Sequence, residues 1–154
     1  MAKQPKSTPD TSDLGLSREE IERLCMRNLL DLPGEHIFFK DLDSRFLVIS
    51  RGLLEDQLPG WAMDEVLGKT DFDIFSEPHA VAAFEDEQRI IRTGESIVGK
   101  VERETFRNRP DVWVSTTKFP LRDDEGQIIG TFGISRDVTA QIVAEQALTF
   151  QSLH

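Results

Sequence analysis

The chain has little cysteine, little histidine and no tyrosine: one Cys, three His and no Tyr among 154 residues. The single thiol, Cys25, excludes an intramolecular disulfide and a zinc site of several thiolates, and it fits a reducing compartment. Positive charge is also scarce, with 18 Lys and Arg against 28 Asp and Glu and a formal net charge of −10. No run of basic residues alternates with aromatics, so we expect no binding to nucleic acid.

Long apolar runs are also missing. Nothing in the sequence is long enough to span a bilayer, and the polar N-terminus lacks the apolar stretch of a signal peptide. We therefore expect a cytoplasmic chain without a membrane partner. Residues 1–15 offer too little apolar surface to offset the entropy of ordering, so they are predicted to be a disordered leader.

Motifs of known catalytic chemistry are absent as well. The sequence has no Gly-x-Ser-x-Gly elbow, no phosphate-cradling glycine-rich loop and no paired metal-binding histidines. This segment is therefore predicted not to be an enzyme and to hold no metal.

What is present is a regular alternation of helix and strand patterns. Residues 16–32 form a predicted amphipathic entry helix, which opens with a capping box from Ser17 to Glu20. The strand-like segments are residues 36–40, 46–50, 96–106, 112–121 and 127–135. Short helical pieces and one longer helix, which begins at Glu77-Pro78, lie between the second and third strands. The apolar face of that longer helix is predicted from Val81, Phe84, Gln88 and Ile91.

This order predicts an α+β domain. Five antiparallel strands, split two and three around the helices, imply one sheet with short helices over one face and a helix at each terminus.

Four segments, in this order, resemble the PAS sensory domains of bacterial signalling proteins. They are residues 36–46, residues 68–75 with Gly68-Lys69-Thr70-Asp71-Phe72, residues 113–122, and residues 130–139 with Asp137-Val138-Thr139. The resemblance implies a PAS fold at residues 33–137, a five-stranded antiparallel sheet cupping a small cavity. It also places Asp71 as a helix cap and Asp73 in solvent.

A second resemblance concerns the C-terminal residues. Residues 138–154 are expected to be an exit helix or linker, and residues 148–154 resemble the stretch that precedes GGDEF, or diguanylate cyclase, domains. The implied function is a sensory module for a C-terminal output domain in cyclic-di-GMP signalling, with a phosphodiesterase as a possible further domain. A histidine kinase is the alternative output.

The resemblance limits the cofactors without naming a ligand. A flavin photoadduct is excluded, because Cys25 lies upstream of the first strand. Haem requires an axial imidazole, and the positions that supply it in haem-binding relatives hold Phe84 and Ser96 here. His79 is the remaining candidate for a haem ligand, against the simpler interpretation of a surface histidine. The sequence therefore requires no cofactor.

The expected cavity is the candidate binding site. A cup of this topology is expected to turn inward aromatic, aliphatic and small polar side chains, namely Phe38, Phe72, Phe75, Phe84, Ile91, Trp113, Ser115, Thr117, Phe132 and Ser135. Such a site suits an unknown small molecule, and the alternative is that these side chains simply fill the core. The alternation in residues 112–121 leaves open which face of that strand lines the cavity.

The junction and the terminal helices bear on signalling. Asp137 and Thr139 can accept hydrogen bonds from backbone N–H groups at the start of the exit helix, and the resemblance makes this pair the signal relay. The alternative is a plain helix cap. Apolar stripes on the entry and exit helices predict a homodimer through these helices, in a sensor or in a structural dimerisation domain.

Overall fold

The computed structural model describes residues 3, 12–106 and 109–153. The predicted leader lies mostly outside these residues, and its end, Ser12–Leu14, forms one turn of 3-10 helix. His154, the last residue of the predicted exit helix, also lies outside them. Within the described ranges, no helix has the length and apolarity needed to cross a membrane.

The described residues contain five strands and six α-helices, in the predicted order. The strands are β1 (His36–Asp41), β2 (Phe46–Ile49), β3 (Ile97–Glu104), β4 (Val112–Arg122) and β5 (Ile128–Asp137). The helices are α1 (Arg18–Leu30), α2 (Arg51–Gln57), α3 (Met63–Val66), α4 (Asp71–Ile74), α5 (Glu77–Thr93) and α6 (Thr139–Leu153).

The strands form a single antiparallel sheet in the order β2-β1-β5-β4-β3. The last strand in the chain therefore lies at the centre, where Ser135 is opposite His36 of β1 and Thr116 of β4. Helices α2 to α5 pack on one face of the sheet. This confirms the predicted α+β class and strand arrangement.

The main hydrophobic core lies between this sheet and the short helices. Its buried members are Phe38, Phe46, Ile49, Leu53, Leu58, Val66, Ile74 and Phe75. In β1 the buried residues His36, Phe38 and Lys40 alternate with half-buried ones, and β2 buries Phe46 and Ile49, so one face of the hairpin is turned towards the core.

The longer helix, α5, faces the sheet with residues other than those predicted. It buries Ala80, Ala83, Glu87 and Ile90, whereas the predicted face is displaced by one residue along the chain. The small side chains of Ala80 and Ala83 allow the helix to approach the sheet closely. The helix ends at Gly94, whose φ of 72° is the left-handed conformation that favours glycine.

The terminal helices contribute little to the core. The capping box of α1 is confirmed: the Glu20 N–H donates to Ser17 Oγ at 3.1 Å, and the Ser17 N–H donates to Glu20 Oε2 at 3.3 Å. Among the described residues, neither α1 nor α6 has a buried side chain. Apolar side chains on both helices, Met26, Leu29, Val143, Leu148, Phe150 and Leu153, are exposed.

Candidate functional site

A small cavity lies between the sheet and helices α2, α4 and α5. Its volume is about 30 Å³, which is room for roughly two water molecules. The sheet contributes Phe38, Lys40, Phe46, Glu102, Glu104, Thr116, Lys118 and Ser135 to the wall, and the helical side contributes Leu53, Gln57, Asp71, Phe75, His79 and Glu87. The lining is therefore largely polar and charged.

Three of the predicted cavity residues line this cavity: Phe38, Phe75 and Ser135. Phe38 and Ser135 point inward because they occupy the buried positions of β1 and β5. Phe75 follows α4 directly and packs its ring 4.7 Å from the imidazole of His79.

The burial pattern of β4 shows which face of this strand lines the cavity, a question that the sequence left open. Val114, Thr116 and Lys118 are the buried positions of this strand. Because side chains alternate along a strand, the predicted lining residues Trp113, Ser115 and Thr117 lie on the opposite face of the sheet.

Phe132 also lies on the opposite face, because Thr131, Gly133 and Ser135 are the inward residues of β5. Its ring stacks between those of Phe39 and Phe119, with centroids 5.5 Å away on each side. This aromatic row joins β1, β5 and β4 from outside the cup.

The remaining candidates lie on the helical side, away from the cavity. Phe72 is 42% exposed and Phe84 is 38% exposed, and their rings meet edge to face at 6.0 Å. Ile91 is half-buried, next to the inward Ile90 of α5. The placement of Phe84 and Ile91 inside the cup is corrected by the observed face of α5.

Four charged side chains form a buried cluster on the cavity wall. Lys40 Nζ contacts Asp71 Oδ2, and it donates to both oxygens of Glu87 at 3.0 and 2.9 Å. Lys118 Nζ donates to Glu87 Oε2 at 2.9 Å. Each charge has an opposite partner within hydrogen-bond distance, so the cluster is neutral as a set.

Burial and ion pairing shift the pKa values of Glu87 and Lys40 in opposite directions. Burial by itself raises the pKa of Glu87, but the charges and hydrogen bonds of Lys40 and Lys118 lower it from 4.5 to about 2. Burial likewise opposes the charge of Lys40, and the carboxylates of Asp71 and Glu87 raise its pKa above the usual value.

Glu104 is a different case. It is 6% exposed, and among the described residues its Oε2 has no hydrogen-bond partner. Burial, followed by repulsion from Glu102 and Asp71, raises the pKa of Glu104 to about 8, although Lys118 opposes the shift. This carboxyl group is therefore mostly protonated at neutral pH.

His79 lines the cavity rather than the surface, since it is 8% exposed. Burial lowers its pKa, so the imidazole is neutral near pH 7. A cavity of about 30 Å³ is much smaller than the pockets that hold large cofactors, so it does not accommodate haem in this conformation. Within the described ranges, no three His, Cys, Asp or Glu residues are grouped to hold a metal ion.

The predicted relay residues fasten the start of α6 to the sheet. The Thr139 N–H donates to Asp137 Oδ1 at 2.9 Å, and Thr139 Oγ1 accepts from the N–H of Trp113 on β4, also at 2.9 Å. The Val138 N–H donates to the Trp113 carbonyl at 2.8 Å. Asp137 therefore caps the helix as expected, while the Thr139 side chain binds a neighbouring strand instead.

Sequence reasoning missed the charged residues of the site. Asp71 was expected to cap a helix, but it is 5% exposed and pairs with Lys40. Asp73 is exposed as expected, and it accepts from the Thr70 N–H at 3.0 Å. The available signal was strand alternation, which puts Lys40 on the same face as Phe38, and Lys118 on the same face as Val114.

Comparison with known proteins agrees with this fold. The model of the PAS fold family matches residues 31–142. The methanogenesis regulatory histidine kinase FilI of Methanothrix harundinacea is 32% identical over 114 residues, which are 73% of this chain and 12% of that protein. The biofilm dispersion protein BdlA of Pseudomonas aeruginosa is 30% identical over 94 residues, 59% of this chain and 22% of that protein. The chain thus spans less than a quarter of either relative.

Solved structures share the architecture. The structure of VqmA bound to DPO is 27% identical and superposes with a TM-score of 0.62, covering 76% of this chain and 57% of that one. The Vibrio cholerae VqmA dimer is also 27% identical, with a TM-score of 0.64 over 79% of this chain and 52% of that one. A PAS domain from Colwellia psychrerythraea, 16% identical, superposes with a TM-score of 0.63 over 78% of this chain and 98% of its own, and shows the fold alone. The chain therefore belongs to the PAS fold family, as a sensory domain of the kind found in signalling proteins.

Proposed function

We propose that this domain is a non-catalytic sensory and dimerisation module that reports the occupancy of its cavity to an output domain through α6. The observation that carries the proposal is the course of β5. This strand contributes Ser135 to the cavity wall and ends at Asp137, which caps α6. Strand β5 thus connects the cavity wall directly to the exit helix.

The relay requires two arrangements of α6 that a ligand distinguishes. A ligand shifts their populations only when it binds one arrangement more tightly than the other. Contact with Ser135 or Thr116 alters β5, which holds Asp137, and β4, whose Trp113 N–H donates to Thr139 Oγ1. A shift between these strands therefore changes the angle at which α6 leaves the sheet.

The lining favours a polar ligand over an apolar one. Buried carboxyl, ammonium, imidazole and hydroxyl groups surround a space that only a small molecule fills. The structure of a similar protein is that of VqmA bound to DPO, which supports a ligand here without identifying it.

The output domain that we propose is a diguanylate cyclase, from the resemblance of residues 148–154 to the stretch before such domains. A histidine kinase is the second candidate, because the relative FilI is a histidine kinase. Either output domain is compatible with a dimer, because the exposed apolar residues of α1 and α6 can form the interface between paired helices of two copies. A similar protein, VqmA, forms a dimer.

The experiment compares Thr139→Val with Thr149→Val in the full-length protein. Thr139→Val removes the acceptor of the Trp113 N–H, whereas the Thr149 hydroxyl donates only within α6, to the Glu145 carbonyl. Losing such an acceptor costs about 1–3 kcal/mol, enough to shift a two-state balance about tenfold. We expect Thr139→Val to change the output several-fold and Thr149→Val to leave it unchanged.

The readouts are cyclic-di-GMP, measured by mass spectrometry, and autophosphorylation. Equal output from both variants would contradict the relay. A change in autophosphorylation without cyclic-di-GMP formation would identify the output domain as a histidine kinase and not a diguanylate cyclase.

Native mass spectrometry of the purified chain tests the other parts of the proposal. We expect a dimer, with a small retained mass if the ligand survives purification. A monomer would contradict dimerisation through the terminal helices of this domain.

A further inference from the structure

The cavity contains more carboxyl groups than ammonium groups. Two lysines on its wall face four acidic side chains, which are Asp71, Glu87, Glu102 and Glu104. Both lysines form their ion pairs within the buried cluster, where the partners are Asp71 and Glu87. Glu102 and Glu104 therefore remain on the wall without a cavity lysine as their partner among the described residues.

Glu102 has one weak contact with a lysine among the described residues. Lys100 Nζ lies 4.0 Å from Glu102 Oε2, but it lies 2.6 Å from Asp86 Oδ2. Lys100 is also absent from the cavity wall, so its charge does not fill the space beside Glu104.

Glu104 itself presents an unused acceptor to this space. Its Oε2 is buried without a partner among the residues that the structure describes, and the same holds for the hydroxyl oxygen of Thr116 on the facing strand. Leaving a buried polar atom without a hydrogen bond is costly. Two such atoms on one cavity wall mark a place where a ligand can form hydrogen bonds.

We propose that the cavity binds a small organic ammonium ion, with the Glu104 carboxylate as its counter-ion and the Thr116 hydroxyl as a further acceptor. This proposal rests on the sensory role above, because it names the ligand class of the same site.

Three features favour a cation over other ligands. An anion would face the carboxyl groups of Glu102 and Glu104, and a neutral ligand would leave the charge of Glu102 without a counter-ion in the cavity. An ammonium brings several N–H donors and no acceptor, which suits unpartnered oxygens. The rings of Phe38, Phe46 and Phe75 on the same wall suit both a cation and its alkyl group. The small volume limits the ligand to a few non-hydrogen atoms.

Binding of the ammonium is coupled to release of a proton. In the empty cavity Glu104 holds its proton because burial and the charges of Glu102, Asp71 and Asp137 raise its pKa to about 8, against the effect of Lys118. His79, another titratable group of the cavity wall, is neutral because burial lowers its pKa. When the ammonium enters, the carboxyl O–H bond breaks, its proton passes to the buffer, and the carboxylate pairs with the cation.

The coupling gives a pH signature that other ligand classes lack. Below the pKa of Glu104, each pH unit lowers the cost of removing its proton, so the affinity for an ammonium rises about tenfold per unit. An alkylammonium keeps its charge over this range, as lysine does.

The test is calorimetric titration of the whole chain with methylammonium chloride at about pH 6.5 and about pH 7.5. We expect binding that is about tenfold tighter at the higher pH, with nearly one proton released at the lower pH, measured in buffers of different ionisation enthalpy. Potassium chloride controls for ionic strength, and acetamide is the neutral probe. No binding of methylammonium, a pH-independent affinity, or equal binding of acetamide would overturn the proposal.

Glu104→Gln and Glu85→Gln provide a matched pair. Glu85 is exposed on α5 and does not line the cavity. We expect Glu104→Gln to weaken methylammonium binding at least tenfold and to abolish proton release, while Glu85→Gln leaves both unchanged. Should Glu104→Gln not fold, the proton count on the unaltered chain decides the question.

The two proposals fail separately. If methylammonium does not bind but another molecule is retained in native mass spectra, the ammonium class is wrong and the sensory role stands. If methylammonium binds as expected but Thr139→Val leaves the output unchanged, the ligand class stands and the relay is wrong.

Discussion

Glu87 accepts hydrogen bonds from two buried lysines, and replacing it with Gln isolates the contribution of its charge. The side chain is fully buried, and its carboxylate lies 2.9 Å from both Lys40 Nζ and Lys118 Nζ. Gln has nearly the same shape, so the substitution opens no cavity. It leaves Lys118 without an anionic partner and Lys40 with Asp71 alone.

The magnitude follows from the pKa of Glu87. A pKa lowered from 4.5 to about 2 on folding corresponds to about 3 kcal/mol of stability at neutral pH. The value agrees with the 3–5 kcal/mol generally lost when one partner of a buried ion pair is removed. We therefore expect Glu87→Gln to lower the free energy of unfolding by about 3 kcal/mol at pH 7.

The assay is urea unfolding followed by tryptophan fluorescence, with Glu85→Gln as the control on the exposed face of α5. The control is expected to stay within about 0.5 kcal/mol of the unaltered chain. Because the folded pKa is depressed, the stabilisation is complete above pH 4.5 and is lost as the pH falls through about 2. A loss no larger than that of the control, or a difference that persists at pH 2, would refute the reasoning.

Two further predictions concern the cavity wall. Gly133→Ala should destabilise the domain by about 1–3 kcal/mol in urea unfolding, because an added Cβ would clash with the Thr117 carbonyl oxygen and lie 2.7 Å from Phe38 Cζ; wild-type stability would contradict the packing described. The raised pKa of Glu104 makes the folded domain lose stability as the pH rises from 4.5 to about 8. Glu104→Gln should remove that fall, up to about 5 kcal/mol, and parallel pH–stability curves for the two proteins would argue against a buried carboxylic acid.

The order of strands and helices could be predicted because each element carries its own periodic pattern. The capping box at Ser17 and the Glu77-Pro78 start of α5 marked the beginnings of two helices by local chemistry alone. The strands could be recognised as short runs rich in β-branched and aromatic residues bounded by turn residues, and the five-stranded arrangement followed from their order.

The site could not be predicted in the same way, because apolar residues were assumed to face inward. On α5 that assumption selected Phe84 and Ile91, whereas the helix buries Glu87. The burial of Glu87 depends on Lys40 and Lys118, which lie 47 and 31 residues away in the chain. Ion pairs between residues so far apart in the chain leave no local sequence pattern. A Lys or Glu considered alone is expected at a solvent-exposed position.

The aromatic row of Phe39, Phe132 and Phe119 holds together the three central strands from the side opposite the cavity. The aromatic row therefore adds to the cohesion of the sheet from a face that a ligand in the cup does not contact. This arrangement makes the domain a suitable scaffold for biosensor engineering, because inward positions such as Thr116 and Ser135 can be varied to recognise new molecules while the aromatic row keeps the central strands together.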